Sequence, residues 1–255
     1  MRRRIRRRLD SALRGRPGSP RYSTSSPRPL PGYRMRAVRL FRDWLRLRRH
    51  DRRERFSRIY RENSWGDDES VSGAGSSRDE TASTLQALEG LVASEGWSSL
   101  VDVGCGDFNW MSQYSPPPGF RYTGVDIVEE LIASNRERFS ASHPWASFQV
   151  CDVVQAPPPA ADALLCRDVL YHLSFEDALR AISNCVASGA AHLALTSHPG
   201  VARNRDIPTG SFEFQNLLLP PFSLPDPVRR IPDAFGEELC LWRRQDLDAV
   251  VAGWR

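Results

Sequence analysis

The segment Val101-Asp-Val-Gly-Cys-Gly-Asp107, followed by Tyr122-Thr-Gly-Val-Asp-Ile127, decides how this chain folds. A short apolar run, Leu100 to Val103, leads into two glycines one residue apart, where the missing Cβ lets the backbone turn sharply and approach a ligand closely. A second run, Tyr122 to Val125, ends at Asp126, 22 residues after Gly104, where a carboxylate can accept both ribose hydroxyls of an adenosine. A third run, Phe148 to Cys151, ends at Asp152, whose carboxylate and neighbouring amides can face an adenine edge. Ala163 to Cys166 and His192 to Thr196 continue the series, with helical segments between the runs. Such alternation implies parallel βαβ units whose strand ends converge on one crevice.

Between these runs the apolar period lengthens to that of a helix. Leu85, Leu88, Leu91 and Val92 mark a helix that closes at Gly96. The helix after the fourth strand carries Ser174 as N-cap, Asp177 in the capping-box position, and Phe175, Leu179, Ile182 and Val186 on one side. Leu239-Cys-Leu-Trp242 reads as a last strand. No internal repeat is visible.

The 255 residues suffice for one α/β domain plus an appendage. All 35 basic residues are arginine, and the net charge of +4 averages two unlike parts. Residues 1–55 hold 20 arginines against four acids, for +16, so the remainder is acidic at −12. The high pI therefore says nothing of the folded domain gripping nucleic acid. Residues 1–34 mix Arg with Pro, Gly and Ser without an apolar period and are expected to be a disordered basic tail. From Met35 to about Asn63, Val38, Phe41 and Leu45 recur at helical spacing among arginines: a basic amphipathic helix that either docks on its own domain or lies on an anionic membrane. Domain boundaries follow at 1–34 for the tail, 35–80 for this helix and a Ser/Gly loop, and 81–255 for the α/β domain. An Arg- and Ser-rich, acid-poor start resembles a mitochondrial transit peptide, although a charged bacterial extension suits an arginine-rich chain better.

Five scattered cysteines form no CxxC pair, which fits a reducing compartment and excludes a zinc cluster or disulfide framework. With no apolar run long enough for a membrane span, a cytoplasmic protein without a metal is expected.

The glycine turn discriminates between cofactors. A dinucleotide requires a third glycine so that the following helix start can approach the pyrophosphate, and here that position is Asn109, with Trp110 next to it. S-adenosylmethionine carries no phosphate, and its amino acid end tolerates an acidic turn containing Asp102 and Asp107. The order of DVGCGDFNWM, YTGVDIVEELI, FQVCDV and LLCRDVLYHLS, over roughly residues 80–200, resembles motifs I to IV of the class I S-adenosylmethionine-dependent methyltransferases. The flanks IYRENSWGDDESVSGAGSS and NRDIPTGSFEFQNLLLPPF are similar to a bacterial subgroup associated with glycan and small-molecule tailoring.

That resemblance implies a Rossmann-like α/β fold: a seven-stranded, mostly parallel sheet with helices on both faces and antiparallel strands at one edge. It implies that Gly104 and Gly106, after Asp102, wrap the methionine moiety, that Asp126 with Ile127 holds the ribose, that Asp152 and Val153 border the adenine, and that Arg167 lies beside the cofactor. Ser72-Gly-Ala-Gly-Ser76 is then either a lid over the cofactor or a flexible linker.

Methyl transfer needs orientation and exclusion of water more than covalent help. Where the acceptor loses a proton, His172, just past the fourth strand, is the first candidate base, with Tyr171 and Asp168 next. Each has a structural alternative: a packed or capping histidine, a buried tyrosine, and an Asp168 paired with Arg167. His198 falls on the same rim and reads as a loop residue. The chain has Cys166-Arg-Asp-Val169 where an Asn/Asp-Pro-Pro-Tyr tetrapeptide would resemble methylation of nucleobases or glutamine. Phe212 to Phe222 is apolar enough either to wall an acceptor pocket or to pack a crossover on the sheet. The expected function is methyl transfer to an O or N atom of a small molecule or glycan sugar. The alternatives are an RNA or protein methyltransferase using the Arg-rich tail, although that tail lacks interleaved aromatics, and a non-catalytic membrane-associated scaffold, which would not need the glycines and strand-end acids.

Overall fold

A computed structural model of the chain describes residues 52–254. The basic tail at 1–34 and the part of the amphipathic helix at 35–51 lie outside the described residues. Helix α1 (Arg52–Arg61) is followed by α2 (Arg78–Glu95), β1 (Ser99–Val103), β2 (Arg121–Asp126), α3 (Glu129–Phe139), β3 (Ala146–Val150), β4 (Ala163–Cys166), α4 (Phe175–Ala187), β5 (His192–Ser197), β6 (Arg229–Pro232), β7 (Glu238–Arg243) and α5 (Arg244–Ala252).

The seven strands form one sheet in the order β3-β2-β1-β4-β5-β7-β6. β1 to β5 run parallel, whereas β7 is antiparallel to both β5 and β6. This is the Rossmann-like sheet expected from the motifs. Because β1 lies between β2 and β4, the chain leaves neighbouring strands in opposite directions at their carboxyl ends, and a crevice opens there.

Both faces of the sheet are covered, which explains the near-continuous apolar strands. Leu164, Cys166, Leu193, Leu195, Cys240 and Trp242 share one core with Ala178, Ile182 and Cys185 of α4 and with Leu247 and Val251 of α5. The alternate residues Leu165, Ala194, Leu239 and Leu241 share the other with Leu88, Leu91 and Val92 of α2 and Ile132 of α3. Each large apolar side chain buried in this way contributes about 1.5–3 kcal/mol.

The helix ends follow the sequence signals. Gly96 adopts φ 68° and its N–H closes α2 on the Val92 carbonyl. Ser174 Oγ accepts the Asp177 N–H at 3.2 Å. The return half of that capping box passes through Thr209, whose hydroxyl accepts the Ser174 N–H at 2.9 Å and donates to Asp177 Oδ2 at 2.6 Å. No helix among the described residues is long and apolar enough to cross a membrane.

Candidate functional site

A cavity of about 330 Å³ opens at the carboxyl ends of β1, β2 and β4, lined by the glycine turn, the ends of β2 and β3, the segment after β4, residues of α1 and the loop through Trp65 to Ser76. Its base is the turn after β1. Gly104 and Gly106 adopt φ 74° and 54°, which favour glycine. A Cβ on Gly104 would stand 2.3 Å from Val169 Cγ2, and one on Gly106 would stand 2.1 Å from Ser72 Oγ. Asn135 of α3 fixes the turn by donating its side-chain N–H to the Gly106 carbonyl at 2.7 Å.

Asp126 lines the cavity at the end of β2, with Ile127 beside it. Its carboxylate accepts the Val128 N–H at 2.9 Å and the Gly106 N–H at 3.4 Å, while burial raises its pKa. Asp152 and Val153 also line the cavity, but the Asp152 carboxylate is used within the protein. It accepts from Arg52 Nη2 at 3.0 Å, Gln155 Nε2 at 2.7 Å and the Val154 N–H at 3.0 Å. Arg52 donates its other prong to Asp177 at 3.2 Å, so α1 is tied at once to the end of β3 and to α4. Asp102 does not line the cavity: it is buried on β1, accepts the Tyr122 hydroxyl at 2.6 Å, and burial pushes its pKa up to about 7.

Residues 72–76 line the cavity opposite the glycine turn. Asp107 accepts from Ser70 Oγ at 3.0 Å and from the Val71 N–H at 3.2 Å, and its own N–H donates to Ser72 Oγ at 3.2 Å. Asn109, which stands where a dinucleotide site has its third glycine, donates to the Ser76 carbonyl at 3.1 Å. The acid and amide of the turn are therefore its tethers to this loop.

Beyond β4 the chain builds the far end. Asp168 takes a left-handed φ of 60°, its N–H donates to Thr196 Oγ1 at 3.0 Å, and it pairs with Arg167 Nη1 at 2.7 Å. Arg167 is buried and gives its remaining prongs to Asp233 at 2.7 and 2.9 Å. Tyr171 and Glu237 both stand close enough to Asp168 to feel its charge. Burial, reinforced by the Asp168 charge, raises both pKa values, that of Glu237 to about 9. His172 lies 2.9 Å from the Ser211 carbonyl through Nδ1, which must carry the proton because a carbonyl only accepts, and this leaves Nε2 as an acceptor. Burial lowers its pKa, so the ring is neutral at pH 7. Trp65 stacks on it at 4.9 Å.

The Phe212 to Phe222 stretch divides between its two readings. Phe212 and Phe214 line the cavity, whereas Leu217 and Phe222 are fully buried in the core against the sheet. His198 packs on Phe214 at 4.4 Å and does not line the cavity. Sequence reasoning missed Arg52, Trp65, Phe235 and Glu237, all of which line it, and Asp233 behind them. The last three come from the loop between β6 and β7, where a Pro-Asp start and a Gly-Glu finish before the apolar strand were the available signals. Among the described residues no three His, Cys, Asp or Glu side chains are grouped to hold a metal.

Residues 100–189 match a family described as a methyltransferase domain. No curated protein sequence matches the chain. Among solved structures it is similar to PigF with bound S-adenosylhomocysteine, at 14% identity and a TM-score of 0.51, over 64% of this chain and 55% of that one. It is also similar to the S-adenosylhomocysteine complex of magnesium protoporphyrin IX methyltransferase from Synechocystis PCC 6803, at 21% identity and a TM-score of 0.41, over 58% and 68%. The methyltransferase domain of a bacterial Hen1 aligns at 16% identity with a TM-score of 0.42, over 46% and 66%. The chain thus spans 55 to 68% of the length of these structures. The likeness to PigF shows the fold.

Proposed function

Because residues 100–189 are an S-adenosylmethionine-dependent methyltransferase domain of the class I fold, we propose that the chain transfers a methyl group to an oxygen or nitrogen atom of a small molecule or of a glycan sugar, in the cytoplasm. The observation that carries this reading is that one cavity joins the glycine turn to an aromatic-walled end, so cofactor and acceptor share a chamber.

The residues present fit S-adenosylmethionine. Gly104 and Gly106 form a cradle that a Cβ would fill, and the Asp126 carboxylate lies beside it. The arginines of the lining, Arg52 and Arg167, are both ion-paired, as suits a ligand without phosphates. In this assignment Gly104 and Gly106 receive the methionine moiety and Asp126 the ribose hydroxyls. Ile127, Asp152 and Val153 border the adenine, where the Asp152 carboxylate serves to hold Arg52. Asp102 and Arg167 act as supports: the first under the glycine turn through Tyr122, the second by fixing Asp168. When bound, the cofactor supplies an electrophilic methyl on a sulfonium, which leaves as a neutral thioether.

The chain's own residues then do three things. The 72–76 loop and α1 shield the chamber from water, which strengthens every charge interaction inside it. The aromatic wall orients the acceptor, and orientation supplies much of the acceleration in a displacement of this kind. His172, held as the Nδ1–H tautomer by Ser211, accepts at Nε2 the proton that the acceptor loses. The test is to incubate the protein with S-adenosylmethionine and matched panels of phenols, amines, sugars, RNA and peptides, and to follow S-adenosylhomocysteine release. Turnover with a small molecule or sugar is expected; turnover confined to RNA or peptides would overturn the assignment.

A further inference from the structure

We infer that the acceptor enters this cavity as a cation: Asp168 and Glu237, side by side at its far end, receive the ammonium group of an amine whose apolar body lies against Trp65, Phe212 and Phe235. The inference rests on the reading of that end as the acceptor side.

The first observation is the rim. Trp65, Phe212 and Phe235 are 39, 52 and 45% exposed, and they are the exposed large aromatic side chains among the described residues. All three border this one cavity. Scattered exposed apolar side chains need no explanation, but three aromatics converging on one opening mark a binding surface. Phe235 is presented from a backbone at φ 56°, a conformation that L residues seldom hold without a purpose. Ring faces carry a negative quadrupole and attract cations.

The second observation is the charge behind the rim. Glu237 is only 3% exposed and lines the same cavity as Asp168, whose charge, after burial, raises its pKa. Two carboxyl groups facing one buried site do not both ionise readily, so one of them keeps a proton. The groups that face this pair are Arg167 and Cys166 from the end of β4, Tyr171 and His172 from the following turn, and Asp233 from the loop before β7. Arg167 is divided between Asp168 and Asp233, and Glu237 makes no ion pair among the described residues. Three carboxyl groups thus share one guanidinium, and with one proton held the cluster carries a charge of −1. Such a floor repels phosphate and carboxylate acceptors.

A proton between two carboxylates occupies the place of a missing cation. An arriving ammonium takes that place, and one proton leaves to solvent for each amine bound at neutral pH, where burial and the Asp168 charge otherwise hold that proton in place. A neutral alcohol or sugar leaves the proton where it is. The two acceptor classes therefore differ in proton stoichiometry as well as in affinity.

Calorimetric titration of 2-phenylethylamine and of its neutral isostere 2-phenylethanol, into protein saturated with S-adenosylhomocysteine, separates them. The expected result is amine binding at least tenfold tighter than the alcohol, release of about one proton when the heats in phosphate and Tris buffers are compared, and amine affinity weaker by about tenfold at pH 6.5 than at pH 7.5. Glu237→Gln is expected to lose both the proton release and the preference. The pH profile of the wild type needs no variant, so misfolding cannot obscure the outcome. Equal affinities, a preference for the alcohol, or amine binding without proton release would overturn the inference. If S-adenosylhomocysteine binds while the amine preference is missing, this inference alone falls; if it does not bind, the reading of the cavity falls with it.

Discussion

Arg167 and Asp233 meet in a two-pronged ion pair, Nε to Oδ2 at 2.7 Å and Nη2 to Oδ1 at 2.9 Å, with both side chains almost entirely buried. The pair joins the end of β4 to the loop between β6 and β7, and through Arg167 it holds Asp168 at the cavity wall. Thr84 of α2 donates to the same Asp233 carboxylate at 2.7 Å, so three elements depend on it. Asp233→Asn leaves a buried guanidinium short of one partner and is expected to cost about 3–5 kcal/mol of stability, read from urea unfolding. A loss under about 1 kcal/mol would show that the cluster does not hold the loop.

Gly106→Ala tests the glycine turn. The new methyl would meet Ser72 Oγ at 2.1 Å, from a backbone at φ 54°. The expected outcome is a stability loss of about 1 kcal/mol or more together with displacement of the 70–76 loop. Affinity for S-adenosylhomocysteine should fall at least tenfold, or about 1.4 kcal/mol. Unchanged affinity would mean that this loop does not contribute to the cofactor site.

Arg52→Ala cuts the link from α1 to Asp152 and Asp177. These ion pairs are partly buried, so the expected loss is about 1–2 kcal/mol. Faster amide exchange should be confined to α1, and cofactor affinity should fall several-fold. Raising salt on the wild type should move both readouts in the same direction, more weakly. Exchange that rises evenly through the sheet would contradict a local latch.

Asp102 gives a pH prediction. Its carboxyl, ordinarily at 3.8, is pushed up to about 7 by burial, so the folded protein keeps a proton that the unfolded chain releases. Its contribution to stability is therefore present at low pH and is lost as the pH rises from about 4 through 7. Asn cannot titrate. Urea unfolding is expected to show Asp102→Asn gaining about 2 kcal/mol on the wild type between pH 5 and pH 8. A constant difference across that range would show that the carboxyl is not held protonated.

The cores and the crevice were legible because they follow local rules. Leu164 and Cys166 alternate with Ala163 and Leu165 on a sheet covered on both faces, and such strands read as unbroken apolar runs. Gly96, Ser174 and the Gly104/Gly106 turn announce themselves through backbone chemistry alone. β6 was not legible: Arg229-Arg-Ile-Pro232 is an edge strand with little apolar surface, defined by its pairing with β7 rather than by its own pattern. Glu237 carries no local signal of its own; only the approach of Asp168 from a segment about 70 residues earlier gives it a role. Arg52 fell within a basic amphipathic helix without a partner of its own, because Asp152 and Asp177 lie 100 and 125 residues away in sequence. The apolar stretch from Phe212 allowed two readings because it does both things, lining the cavity with its first half and filling the core with its second.

Calorimetric titration decides whether Gly104, Gly106 and Asp126 form a site for S-adenosylmethionine. S-adenosylmethionine and S-adenosylhomocysteine should each bind the wild type with micromolar affinity, and Asp126→Ala, shown by circular dichroism to be folded, should lose that binding at pH 7.5. A folded wild-type protein that binds neither compound, or an Asp126→Ala variant that binds both unchanged, would show that these residues are not a site for S-adenosylmethionine.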